Sequence, residues 1–322
     1  MVLVLSGEDV ASLVSLPDVA AEVERAQIKQ DAGAAERPNR PHYPIGRGLD
    51  GNEPLGTGLA MPAYIHGSDH FATKLVSVHE GNPEGVPTLH SQLLLADART
   101  GLPVSIMDAN GVTNARTGCI GGLAARSLAV SPVDLAVIGA GVQARWQTRA
   151  VDALCDLRSV AIYAPSESKH AAADDLASEG IPASAAESAE SAVRDANVVI
   201  TATTSTEPVF PAEAVREGTL VVGIGAFRPE MQEIEPAVFD AAARVFADVP
   251  SEAIETGDLA ATSLTADRLV PLGEAFTGET GRRADDEVLV VESVGSAVFD
   301  AATAEHVYGL ARDRGVGTTV EL

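Results

Sequence analysis

The stretch Val137 to Ala144, VIGAGVQA, constrains the fold more than any other part of this 322-residue chain. An apolar run, Asp134 to Ile138, leads directly into Gly139-Ala140-Gly141-Val142-Gln143-Ala144, a GxGxxA pattern. The first glycine permits a tight turn after a strand. The second lets a pyrophosphate approach the backbone, and the alanine still allows a helix to pack closely. The N–H groups and dipole at the start of that helix favour an anion. The motif alone is weak, because any tight strand-to-helix turn needs glycine. Its context is stronger. SVAIYA, NVVITA, TLVVGI, ARVFAD and EVLVVES follow as short buried-strand patterns, with helical or loop segments between most of them. That rhythm predicts a doubly wound parallel sheet of the α/β class, and with it a dinucleotide site.

The end of the second strand bears on which dinucleotide. An NAD site usually carries an acid there to grip the ribose 2′-hydroxyl. Ala161-Ile162-Tyr163-Ala164-Pro165-Ser166 carries none, and Ser166, Ser168 and Lys169 offer hydroxyls and a cation instead. Such groups suit a 2′-phosphate, so NADP(H) is preferred and NAD(H) stays open. The plain alternative makes Lys169 an ordinary surface lysine.

The region before this sheet reads differently. MVLVL reads as a first strand, and Ser15-Leu16-Pro17-Asp18 as a helix start with a capping hydroxyl. Residues 31–58 are rich in proline and glycine, as in functional loops. MPAYI, FATKLVSVHE, SQLLLADA and LPVSIMDA are β-leaning runs of a mixed sheet. From Thr113 to Leu128 the pattern turns helical, and so does the tail from about Phe299 to Arg314.

Three cations lie beside apolar runs here: Arg40 in RPNRPHY, Lys74 in FATKLVSVHE and Arg116 in GVTNARTGC. A lysine inside an apolar strand is costly without a partner. Each residue alone reads as solvated; together they form a candidate carboxylate clamp, with arginine supplying bidentate geometry. Asp108 reads as a sheet-end cap or a partner for one of these cations, and His90 as a core histidine. No metal-ligand spacing and no Ser–His–Asp constellation is legible.

Forty-six acidic against 22 basic residues give a net charge of −24. A phosphate backbone needs a basic surface, so nucleic acid is excluded as a partner. The acids are dispersed and the lysines are only Lys29, Lys74 and Lys169, a bias typical of proteins that work in high salt, which screens self-repulsion. No apolar run is long enough for a membrane span. Cys119 and Cys155 imply neither a disulfide framework nor a metal site, and a reducing cytoplasm fits.

These motifs, taken in order, resemble the ornithine cyclodeaminase/mu-crystallin family over nearly the whole length. They are MPAY, TKLV, IMDANGVTNART, VIGAGVQA, TATTSTEPVF, GAFRPEMQEI and ESVG. The resemblance implies a Rossmann domain, residues 116–299. It also implies a mixed α/β substrate-binding and homodimerisation domain, residues 1–115, to which a last segment, 300–322, returns. Arg40, Lys74 and Arg116 match positions that hold a substrate α-carboxylate. For proton delivery Lys74 and a water are the two candidates. Gly139, Gly141, Val142 and Gln143 match the pyrophosphate loop, and Thr117 is a further expected cofactor-binding residue. Thr203 and the Val222–Ala226 segment, with Gly223, Gly225 and Ala226, match the nicotinamide end, and Ser293 and Gly295 lie beside the cofactor.

The chain departs from the cyclodeaminase pattern twice. Aligning Pro229 and Glu233 puts Phe227 where that enzyme has a catalytic aspartate, and Leu59 stands where it has a glutamate. Cyclodeamination needs positioned acid–base groups, whereas reduction of a preformed cyclic imine is mainly a matter of orientation. The expected activity is therefore NAD(P)H-dependent reduction of a small cyclic ketimine carboxylate, five- or six-membered, to L-proline or L-pipecolate. Ornithine cyclodeaminase, alanine dehydrogenase and a non-catalytic NADP-binding protein are the alternatives.

Overall fold

The computed structural model describes residues 1–226 and 228–321; the reading made for Phe227 lies outside the described residues. The chain divides into two compact units, Met1–Arg116 with Ala297–Leu322, and Thr117–Ser296. Arg116 therefore goes with the first unit rather than opening the second, and the return begins three residues earlier than the sequence suggests.

The first unit starts with β1 (Val2–Leu5), α1 (Gly7–Leu13) and α2 (Leu16–Asp31). It continues through β2 (Ala35–Glu36), β3 (His42–Ile45), β4 (Gly56–Ile65), β5 (His70–Val78), β6 (Leu89–Asp97) and β7 (Pro103–Asp108). The Ser6 hydroxyl accepts from the Asp9 amide and the Asp9 carboxylate from the Ser6 amide, a reciprocal cap that starts α1. The expected hydroxyl cap of α2 is not made: Ser15 forms no side-chain cap bond, and the start rests on Pro17 and Asp18. Helix α3 (Ala109–Leu128) crosses the boundary between the units. It is capped by Asp108, whose Oδ1 accepts the Asn110 and Gly111 amides at 3.0 and 3.4 Å. Asp108 is thus the cap, one of its two expected roles. His90 is exposed on β6, not a core histidine.

The second unit carries β8 (Val133–Ile138), α4 (Val142–Leu154), β9 (Leu157–Tyr163), α5 (Ser168–Ser178), β10 (Ala183–Ala185) and α6 (Ala189–Asp195). β11 (Val198–Thr201), β12 (Leu220–Gly223), α7 (Pro236–Ala241), β13 (Arg244–Ala247), α8 (Pro250–Ala253) and α9 (Gly257–Ala260) follow. β14 (Val270–Pro271), α10 (Leu272–Thr277) and β15 (Leu289–Glu292) complete it. The chain then returns to the first unit as α11 (Ala297–Arg314) and β16 (Thr318–Val320).

Among the described residues, the first unit's sheet runs β16-β1-β7-β6-β5-β4-β2, with β3 on β4; all pairings are antiparallel except β1 with β7. Strand alternation sends Ala72, Leu93, Leu95 and Met107 to one face, under α1, α2 and α11, where all are buried. Lys74 lies on that buried face, in a cross-strand row with Met61, Leu93 and Met107. The opposite face presents Val4, Ile106, Leu94, Thr73 and Pro62 in a second row, with Leu75 and Phe71 alongside. Val4, Phe71, Leu75 and Leu94 are exposed there.

The second unit's sheet is parallel throughout, in the order β10-β9-β8-β11-β12-β15-β13-β14. Every residue of β11, β12 and β15 is buried, as expected when both faces of a parallel sheet are covered. The chain leaves β8 first toward β9 and β10 and later toward β11 and β12. The direction therefore reverses between β8 and β11, the place where such sheets open a ligand crevice beyond the strand ends. No helix among the described residues is long and apolar enough to cross a membrane.

Candidate active site

The glycine loop occupies that reversal point. Gly139 has φ +122°, and a Cβ there would lie 2.4 Å from the Ala202 carbonyl oxygen, so the position admits only glycine. Its amide donates to the Tyr163 carbonyl at 2.8 Å. A Cβ on Gly141 would meet nothing within 4 Å, which leaves open space over the backbone. Gly141 is the N-cap of α4 and has no side chain to cap it, and the positive end of the helix dipole there favours an anion. Val142 is 58% exposed beside them, and Gln143 is half-buried. Ala144 is buried, as a packing third position requires. The Thr117 carbonyl accepts from Gln147 Nε2 at 2.8 Å, which ties the start of this unit to α4. These features fit a bound pyrophosphate.

Past β9, Ser166 and Ser168 are exposed with their hydroxyls 2.7 Å apart. Lys169 is engaged by the protein: its Nζ donates to the Ala186 carbonyl at 2.9 Å and sits 5.1 Å over the Tyr163 ring. The ordinary packing reading thus accounts for Lys169. The two hydroxyls are the groups that remain turned outward.

On the other side of the reversal point lies Glu233, in the segment between β12 and α7. It is fully buried. Its Oε1 accepts the Thr203 amide at 2.6 Å, and its Oε2 accepts the Gly225 amide at 2.7 Å and the Thr201 hydroxyl at 3.0 Å. A Cβ on Gly225 would fall 2.2 Å from the Thr203 carbonyl, and one on Gly223 would strike the Glu292 carboxyl. Ala226 is buried next to them. Burial pushes the Glu233 carboxyl up to about 7. Thr203 and Thr201 hold it down and the Asp258 charge adds to the rise.

Asp258 Oδ1 accepts the amides of Glu233 and Ile234 at 2.7 and 2.8 Å, and burial raises its carboxyl as well. Glu292, at the end of β15, is raised well above the usual range by burial and then by Asp258, Glu233 and Asp248. Asp248 accepts the Ser293 hydroxyl at 2.7 Å and the Gly295 amide at 2.8 Å, and so fixes the turn after β15 in which Gly295 has φ +75°. Ser293 is thereby spoken for by Asp248.

The first unit brings Lys74 and Arg116 together through a residue the sequence reading did not single out. Asp300, on α11, is buried. Its Oδ2 takes Lys74 Nζ at 2.7 Å, and its Oδ1 takes Arg116 Nε at 2.9 Å. Lys74 also donates to the Thr113 hydroxyl at 3.3 Å. Burial lowers the Lys74 ammonium to about 8; Asp300 raises it, and the Arg116 and Arg40 charges lower it further. Burial pushes the Asp300 carboxyl up, but Arg116 and Lys74 outweigh that and leave it below its ordinary value. Two cations on one anion leave one excess positive charge, which a substrate carboxylate would balance. Arg40 is half-buried in the segment before β3 and adds to the field at Lys74. No group of side chains with metal-ligand character occurs among the described residues.

A parallel doubly wound sheet with an uncapped glycine loop, together with a separate unit bearing a buried cationic cluster, defines a nucleotide-dependent α/β protein of the Rossmann class. The chain belongs to the ornithine cyclodeaminase/mu-crystallin family, whose model matches residues 2–315. It is 32% identical to a Δ1-pyrroline-2-carboxylate reductase of Bacillus cereus, over 99% of both chains. The Thermococcus litoralis Δ1-pyrroline-2-carboxylate reductase, solved with NADH and L-proline, superposes with a TM-score of 0.90 at 30% identity, covering 99% of this chain and 100% of that one. An archaeal alanine dehydrogenase dimer with bound NAD gives a TM-score of 0.90 at 31% identity, covering 100% and 99%.

Proposed function

We propose that this protein is an oxidoreductase that reduces a small cyclic ketimine carboxylate with a nicotinamide cofactor, Δ1-pyrroline-2-carboxylate to L-proline being the leading case. The observation that carries this reading is the buried Lys74–Asp300–Arg116 cluster, with its single excess positive charge. The reductase relatives, similar over the full length, supply the reaction class.

Lys74 and Arg116 hold the substrate carboxylate, with Arg40 adding to the positive field. Asp300 holds both cations in place and takes one of the three Lys74 donors. Lys74, with its ammonium near 8, delivers a proton to the imine nitrogen and so makes the adjacent carbon electrophilic. The pyrophosphate of the cofactor rests on the amides after Gly141 at the start of α4, and Thr203, Gly225 and Ala226 line its nicotinamide end. When bound, the reduced nicotinamide supplies the hydride that the carbon accepts.

The test is oxidation of NADH or NADPH by the purified protein in molar salt, as its acidic surface invites, with Δ1-pyrroline-2-carboxylate or its six-membered homologue added. Consumption of reduced cofactor with either imine is the expected result. Oxidation only with pyruvate and ammonia would assign an alanine dehydrogenase, and ammonia release from ornithine with NAD+ would assign a cyclodeaminase. The same assay measures cofactor preference. The absence of an acid at positions 161–166 and the outward Ser166 and Ser168 hydroxyls support NADPH. We expect a lower KM for NADPH than for NADH, with Ser166→Asp reversing the order by placing a charge where a 2′-phosphate would sit. A Ser166→Asp protein with unaltered preference would remove these serines from the cofactor site.

The homodimer belongs to the same reading. The face bearing Val4, Phe71, Leu75 and Leu94 supports it, because four exposed large apolar side chains on one sheet face mark an interaction surface. Leu75→Glu is expected to convert a dimer into a monomer by light scattering after size exclusion. An unchanged mass would place the interface elsewhere.

A further inference from the structure

The segments after β11 and β12 border the glycine loop: the Ala202 amide donates to the Ile138 carbonyl at 2.8 Å and the Ile224 amide to the Thr201 carbonyl at 3.0 Å. A Cβ on Gly139 would meet the Ala202 carbonyl at 2.4 Å and Thr203 Cγ2 at 3.5 Å, so the glycine turn packs directly on the backbone after β11. That backbone in turn abuts Gly225, after β12. Three donors from these segments, the Thr203 amide, the Gly225 amide and the Thr201 hydroxyl, converge on one buried carboxylate. We propose that Glu233 is a positioning residue of the cofactor cleft: its carboxylate staples the loop after β11 to the loop after β12 and so fixes the wall on which the glycine turn packs. This assignment rests on the dinucleotide reading above and deepens it.

The charge state of the staple matters. An ionised carboxylate only accepts, and it can serve all three donors at once. A protonated one carries a hydrogen on one oxygen and must release or turn a donor there. With burial pushing this carboxyl up to about 7, the change falls in the working range. The groups that face it are the Asp258 carboxyl from α9 and the Glu292 carboxyl from the end of β15, with Asp248 acting on Glu292 from beyond β13. All are acids. As pH rises through about 7 the staple becomes charged and tightens, and dinucleotide affinity rises; as pH falls it loosens.

The experiment is NADH binding followed by its fluorescence across this range, on wild type, Glu233→Gln and Thr201→Val. Wild type is expected to gain roughly tenfold in affinity as Glu233 ionises, the scale of one hydrogen bond to a charged group. Glu233→Gln should bind weakly at every pH, with a flat profile. Thr201→Val removes a donor that favours the charged form, so its midpoint should move to higher pH. Passive packing would lower affinity equally at all pH values and leave that midpoint where it was. A Glu233→Gln protein with wild-type affinity, or with the wild-type pH profile, overturns the staple. If Glu233→Gln does not fold, the Thr201→Val midpoint decides. A wild type that binds neither NADH nor NADPH overturns both this and the dinucleotide reading, whereas a binding wild type with an unaltered variant overturns the staple alone.

Discussion

Lys74→Ala is expected to lower kcat/KM for the cyclic imine by roughly 10²–10⁴-fold, the range of a lost proton donor. NADH affinity should be unaffected, because the substitution lies in the first unit while the glycine loop and the staple lie in the second. Arg116 still pairs with Asp300 after the change, so no buried carboxylate is left bare and the protein should fold. The wild-type pH profile gives a second reading. Both roles of Lys74, clamp and proton donor, need the ammonium. Its value is lowered to about 8, so kcat/KM should fall as pH rises through about 8. Lys74→Arg keeps a charge that does not titrate in this range, so that limb should vanish even though the lower activity of a poorly placed guanidinium persists. Normal turnover by Lys74→Ala would remove Lys74 from the chemistry.

What the sequence made legible was local in character. The longer strands of both sheets show as apolar runs between turn residues, and the glycine loop shows because its three special positions lie within six residues. Lys74 stood out because a cation in an apolar strand demands a partner. The partner did not, for a physical reason. Asp300 lies 226 residues away, in a helix whose alanine-rich surroundings look like any buried helix, and only the return of α11 to the first unit brings it to Lys74. Glu233 was hidden in the same way. Its significance comes from donors at Thr201, Thr203 and Gly225, on segments that the parallel sheet assembles. One signal was available: an acid followed by an apolar strand-like residue in a segment otherwise rich in turn formers. Short strands such as β10, β14 and β16 were invisible because two or three residues carry no period; pairing with a neighbour defines them. The Ser15 cap failed for a related reason, since proline at the helix start serves without the hydroxyl bond.

Asp300→Asn is the substitution with the largest expected effect on both fold and activity. The amide is nearly isosteric, so no cavity forms, but it offers one oxygen where two cations need two. Either Lys74 or Arg116 must then face an N–H₂ group inside a site where Lys74 is 3% exposed and Asp300 1%. Breaking a buried pair by removing one partner costs about 3–5 kcal/mol, because the remaining charge is left uncompensated. At about 2–4 °C per kcal/mol for a large domain, the thermal midpoint should drop by roughly 6–20 °C. Activity should change in a way that simple destabilisation does not predict. Asp300 raises the Lys74 ammonium against burial and against Arg116 and Arg40. Removing that anion lets those effects act unopposed, so the alkaline limb of kcat/KM should move to lower pH, and the variant should regain activity as pH falls. A substrate carboxylate would partly replace the lost anion, so a carboxylate product such as L-proline should stabilise Asp300→Asn more than wild type. If the midpoint of the alkaline limb stays in place and the melting temperature is unchanged, Asp300 does not set the charge of the cluster, and the clamp must be built from Lys74 and Arg116 independently.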